Sequence, residues 1–264
     1  HSFNFHFMKI LILGAGKMGT FLTDCLCMKH EVALFDTDPN QLRFVFRTQR
    51  FTQLDEIRNF EPEICINAVT LKYTINAFET VLPYLPTICI LSDIASVKTG
   101  LQAFYEKTGR RYVSTHPMFG PTFANLADLS TQNAIIIAES DHLGKAFFKD
   151  FYGSLKLNIF EYTFDEHDET IAYSLSIPFV SSLVFAAVMK QQAAPGTTFK
   201  RHLAVANGLL SEDDYLLSEI LFNPHTAEQI EAIKSQMTLL QDIVEKKDTA
   251  RMQQFLKKVR RNIQ

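Results

Sequence analysis

Tryptophan is absent from the 264 residues, cysteine occurs only four times, and neither sign of charge dominates. Each shortage excludes something. With 26 basic residues against 29 acidic ones the net charge is −3, so neither nucleic acid nor an anionic membrane surface is implied as a partner. Cys25, Cys27, Cys65 and Cys89 make no spacing with histidine that suits a metal site, and no metal is expected. Cys65 and Cys89 fall in apolar, strand-like runs, where a free thiol behaves as a small hydrophobe. Cys25 and Cys27, two apart on a predicted helix, point to different faces. A reduced, cytoplasmic setting follows. No window reads as a membrane span, and no repeat, low-complexity tract or disordered linker is evident. Residues 1–7, ahead of Met8, lack the length and n-region of a signal peptide and are expected to be a remnant.

What is present is core material: 47% of the residues are apolar and 23 are phenylalanine. The length allows one large domain or two modest ones. Apolar runs at 9–13, 31–35, 63–69, 88–93, 112–115 and 134–138 read as strands, with 158–162 as a last edge strand. Helical patterns at 18–29 and 72–82 fall between them. Strands alternating with helices predict an α/β domain, a doubly wound (Rossmann) parallel sheet over residues 1–164. From Asp165 onward helices take over, at 166–190, 197–208, 212–222 and 227–246, with a final one from Thr249. Residues 165–264 are therefore expected to form a smaller all-helical domain, broken most clearly at 191–198. Its apolar faces are too many for its own thin core, which predicts a homodimer.

Gly14-Ala15-Gly16-Lys17-Met18-Gly19 follows the first strand directly and opens a helix. In that context the glycines permit a tight turn and let a pyrophosphate approach the helix N-terminus, where unpaired N–H groups favour anions. The alternative is an ordinary strand–helix turn. Asp36 closes the second strand, where a carboxylate would hold the ribose 2′-hydroxyl of NAD and repel the 2′-phosphate of NADP. Asp38-Pro39 reads as a cap and first turn.

The stretch that organises the chain runs Leu91-Ser92-Asp93-Ile94-Ala95-Ser96-Val97-Lys98, then Tyr112-Val113-Ser114-Thr115-His116-Pro117-Met118-Phe119-Gly120-Pro121. Ligands of an open α/β sheet sit beyond the carboxyl ends of its strands, which directs attention to Ser96, Lys98 and His116. Pro117 holds His116 extended. A packed or capping histidine is the bland alternative.

DIASVK followed by HPMFGP resembles the core of prephenate dehydrogenase, the oxidative enzyme of tyrosine biosynthesis, and the resemblance runs from Met8 over nearly the whole chain. It implies NAD-dependent oxidative decarboxylation of prephenate to 4-hydroxyphenylpyruvate, with His116 as catalytic base and Ser96 and Lys98 lining the same site. Gly14, Gly16, Lys17, Met18, Gly19, Asp36 and Asp93 make up the expected cofactor-binding set. Ser96 is expected to bond the reacting hydroxyl or orient His116, and Lys98 to supply positive charge near substrate or cofactor. His167-Asp168 matches a His-Asp pair common in the family. A structural role ranks first for both, since an aspartate near a helix N-terminus is favourable through the dipole alone.

Two positions depart from the family. Phe179 stands where relatives often have a histidine, and Gly208 where they carry a substrate-binding arginine. Arg201, one face and seven residues away, is the expected substitute anchor, with Lys200 or His202 behind it. The rival readings are arogenate dehydrogenase, another Rossmann-plus-helical enzyme such as a β-hydroxyacid dehydrogenase, and a non-catalytic NAD-binding regulator.

Overall fold

The computed structural model describes residues 7–120 and 125–264. The chain divides into two compact units, His1–Asp168 and Glu169–Gln264, a boundary slightly later than the expected 164/165. Pro121, the end of the HPMFGP run, lies outside the described residues.

The first unit is an eight-stranded sheet: β1 (Lys9–Leu13), β2 (Glu31–Phe35), β3 (Gln49–Phe51), β4 (Ile64–Asn67), β5 (Ile90–Asp93), β6 (Tyr112–Pro117), β7 (Asn133–Ile137) and β8 (Asn158–Tyr162), in the order β3-β2-β1-β4-β5-β6-β7-β8. Its central strands are apolar at nearly every position because both faces are covered. Ile10 and Ile12 of β1 join one core cluster and Leu11 and Leu13 the other, the period-two alternation of a strand. Helices α1 (Lys17–Leu26), α2 (Leu54–Phe60), α3 (Thr74–Val81), α4 (Leu101–Thr108) and α5 (His142–Ser154) supply the covering layers. Leu22 and Leu26 of α1 and Phe147, Phe148 and Tyr152 of α5 pack on one face. Ile57, Phe78, Phe104 and Tyr105 of α2, α3 and α4 pack on the other.

The sheet departs from the expected parallel arrangement at one place, where β7 runs antiparallel to β6. A parallel return needs a crossover of a dozen residues or more, usually a helix. Among the described residues between β6 and β7 there is none.

The helical run continues from α6 (Phe164–Ile171) through a π turn (Ala172–Ser176) into α7 (Ile177–Val188). Pro178, in the first turn of α7, has no N–H to give the carbonyl four residues back, and a widened turn accommodates the loss. In the second unit α8 (Thr197–Leu210), α9 (Asp214–Leu221), α10 (Thr226–Lys246) and α11 (Thr249–Asn262) follow. Its core is small: Ala206, Leu217, Ile220 and Ile243 are buried, and the Ser176 hydroxyl lies 3.0 Å from that of Thr226. No residue of α7 is buried. The run Phe164–Val188 is long and apolar enough, by length and composition alone, to cross a membrane. This corrects the expectation that no such window exists, since the stretch from Ile171 to Met189 carries no charged residue.

Candidate active site

The first turn after β1 is shaped by two glycines. Gly14 has φ +93°, a backbone conformation that side chains disfavour. At Gly19 a Cβ would fall 1.8 Å from the Gly14 carbonyl oxygen, so the helix can approach the strand only without one. Gly16, the N-cap of α1, offers no side chain to its amides, and the first turn carries no acidic residue. Lys17 is exposed and Met18 half-buried at the start of the helix.

Asp36 accepts the Ala15 N–H at 2.9 Å on one oxygen and the Asp38 N–H at 2.9 Å on the other. The tip of β2 is thereby tied to the glycine turn. Beyond the ends of β1, β2 and β4 opens a crevice of about 570 Å³, lined by Gly14, Gly16, Asp36, Val69, Tyr73 and Asn76 among others. Here the strand order reverses, with β1 between β2 and β4. Ligands bind open α/β sheets at such a switch point. The turn, the close helix approach and the carboxylate at the crevice edge fit a dinucleotide.

His116 is the last residue but one of β6, held opposite Ile135 of β7 and fixed by Pro117 and by the Met118 N–H bond to the Asn133 carbonyl at 2.8 Å. It is 6% exposed. Its Nδ1 lies 3.0 Å from Nε2 of His167, and Nδ1 of His167 lies 3.3 Å from an oxygen of Asp168. Burial pushes the His116 imidazole well below the ordinary histidine value, and His167 and the Lys98 ammonium add to the effect. His167, fully buried, is also lowered, with burial outweighing the upward pull of Asp168. Both rings are therefore neutral near pH 7, and a neutral imidazole can take a proton.

Lys98 and Asp93 face one another. The Lys98 ammonium is buried, 2.6 Å from an Asp93 oxygen and 2.6 Å from the Thr115 carbonyl. The second Asp93 oxygen accepts the Tyr105 hydroxyl at 2.6 Å, and the first also accepts the Ala95 N–H at 3.0 Å. Burying two charges is costly unless they are paired and hydrogen-bonded, as these are. The pair braces the turn after β5 against β6, which carries His116. Ser96, on that turn, is half-buried, and among the described residues no hydrogen bond joins it to His116. His167 holds the ring instead. In the second unit Arg201 is exposed on α8, as are Lys200 and His202 in part or whole, while Phe179 is half-buried on α7. Nothing lies within 4 Å of a Cβ built on Gly208.

The model of the prephenate dehydrogenase nucleotide-binding domain matches residues 26–156, a stretch that holds Asp36, Ser96 and His116 but begins after the glycine turn. A protein of Methanocaldococcus jannaschii named probable arogenate/prephenate dehydrogenase is 23% identical over 201 residues, which are 70% of this chain and 44% of that relative. The chain thus spans less than half the length of that relative. Among solved structures, prephenate dehydrogenase of Aquifex aeolicus, in complex with hydroxyphenyl propionate and NAD+, superposes with a TM-score of 0.84 at 16% identity, covering 98% of each chain. Arogenate dehydrogenase of Synechocystis gives 0.78 at 14% identity, covering 97% of this chain and 98% of that one. At such identities the two structures speak for the fold, including its helical second part.

Proposed function

We propose that this chain, whose residues 26–156 match the nucleotide-binding domain of prephenate dehydrogenase, is a member of that family and oxidises and decarboxylates prephenate to 4-hydroxyphenylpyruvate with NAD. The observation that carries the reading is the buried, neutral His116 at the end of β6, held by a second histidine at 3.0 Å. NAD supplies the hydride acceptor. The glycine turn and the uncapped start of α1 would hold its pyrophosphate, and Asp36 its ribose hydroxyls. The Asp36 carboxylate disfavours a 2′-phosphate, hence NAD over NADP.

His116 takes the proton from the C4 hydroxyl of the cyclohexadienol as hydride leaves C4. The ring carboxylate then departs as carbon dioxide, and its bonding electrons complete an aromatic ring. The oxygen at C4 recovers a proton, so His116 has only to hold one and give it back. Ser96 is half-buried on the turn after β5 and is assigned to the substrate hydroxyl. Lys98 and Asp93 serve as the brace beneath the site.

The substrate's carboxylates need a cation, and Arg201 is the proposed one. It shares a face of α8 with Gly208, roughly 10 Å along the axis at 1.5 Å per residue, across a surface that Gly208 leaves open. A charge-assisted hydrogen bond is worth about 1.5–3 kcal/mol. Arg201→Ala is expected to lower kcat/KM roughly 10- to 150-fold, mostly through KM. An unaltered KM would place the anchor elsewhere.

The deciding assay incubates purified protein with NAD or NADP and with prephenate or arogenate while following NADH or NADPH absorbance. Turnover of prephenate with NAD is expected. Turnover of arogenate alone would reassign the substrate, and no turnover of either would leave a binding protein.

A further inference from the structure

His167 has no part in the reaction as drawn, yet it is bonded to the base itself. Both rings are buried, 6% and 0% exposed, and they meet edge-on, 63° apart with centroids 5.2 Å apart. They are thus joined by a nitrogen–nitrogen hydrogen bond and not by stacking. The direction of that bond can be worked out. An ionised carboxylate only accepts, so the 3.3 Å contact with Asp168 puts the His167 proton on Nδ1. A neutral imidazole has one donor and one acceptor nitrogen, which leaves Nε2 of His167 bare. The 3.0 Å contact is then donated by Nδ1 of His116. Nε2 of His116 then carries the lone pair, and among the described residues it makes no hydrogen bond.

We propose that His167 is a positioning residue which locks His116 into the tautomer a base requires, through Asp168. This rests on the reading of His116 as the base. The bond also tightens when it is needed: once Nε2 has taken the substrate proton, Nδ1–H belongs to a cation, and charge-assisted hydrogen bonds are roughly twice as strong. The cation forms in a buried site near the Lys98 ammonium, which opposes it, while the carboxylates of Asp93 and Asp168 act on His167. An acceptor on Nδ1 offsets part of that cost until the proton returns to the product oxygen. Without His167, His116 could carry its proton on either nitrogen, and the fraction with it on Nε2 could not act.

The test uses full-length protein labelled with 15N-histidine, the His116 signals being those lost in His116→Asn. Long-range proton–nitrogen spectra report the tautomer without any turnover. In the native protein His116 is expected to carry its proton on Nδ1. His167→Gln offers an amide oxygen to the same N–H and should keep the tautomer and most of kcat. His167→Leu offers none: the tautomer should become mixed and kcat fall roughly 100-fold, with KM for prephenate little changed. Asp168→Asn covers the case in which the leucine variant fails to fold. Its amide can donate to Nδ1 of His167, which reverses that ring and, through it, His116. A native His116 protonated on Nε2 would overturn the proposal. So would a folded leucine variant, or the asparagine variant, with unchanged tautomer and kcat. Failure of His116 as base would show separately, as an active His116→Asn enzyme.

Discussion

His116 lies buried with a second imidazole on one side and the Lys98 ammonium nearby, and burial is the largest cause of its lowered basicity. The fold therefore keeps the base uncharged at pH values where an exposed histidine, with a pKa of about 6.5, is already half protonated. The acid limb of kcat/KM should lie below that value, and a limb at or above it would contradict the burial argument. The sign carries over to stability. Unfolded chains protonate both His116 and His167 as pH falls through about 6.5 while the native protein resists. The contribution is complete above that pH and is lost as pH falls toward the lowered native values. His116→Asn should cut kcat by about two to four decades, the usual worth of a positioned base, with NAD affinity nearly intact. Turnover within a few-fold of native would make the residue structural. His116 stands out in the sequence through its motif, and the structure shows it buried beside His167. The pairing of Lys98 with Asp93 is not legible in the sequence for a physical reason: five residues apart, a buried ion pair and two ligand-facing charges look the same in one dimension. His167 shows in the sequence only as part of a His-Asp pair, because which way a helical side chain turns toward a distant strand is a tertiary fact.

Among elements, the β1–α1 turn is the least tolerant. Ala in place of Gly19 would put a Cβ 1.8 Å from a backbone oxygen, and backbone cannot step aside as a flexible side chain can. Gly19→Ala should cost about 3 kcal/mol or more, at or beyond the upper end for overpacking, and abolish NAD binding. Calorimetry would check both, and a variant that still binds NAD would show that the helix can retreat. Buried parallel strands were easy to read because both faces select apolar residues, and every strand from β1 to β8 except β3 lay within a few residues of its expected place. β3 has three residues, two of them exposed, too short to leave a pattern. The reversed direction of β7 was hidden because strand direction depends on the connection, and apolar alternation is the same read either way.

For the molecule as a whole, the two-part organisation was legible from the change of periodicity near Asp165, where strands stop and long helices begin. The exact seam was not, because it falls inside a continuous helix. The second unit leaves Tyr173, Val184, Val188, Val205, Leu210 and Met237 exposed, and a groove on α10 lined by Ile233, Met237 and Leu240 adds to them. Exposed apolar patches of this kind mark association surfaces. A second copy of the chain is the proposed cover. Light scattering should return twice the chain mass of 30.1 kDa at micromolar concentration, and a monomer there would reject the dimer. The bare α7 then has a consequence for handling the protein. A helix with no buried residue of its own takes its share of stability from whatever covers it, and that share follows mass action. With a second copy as the cover, dilution itself becomes a denaturant: the melting temperature falls each time the solution is thinned, although no bond within the chain has changed.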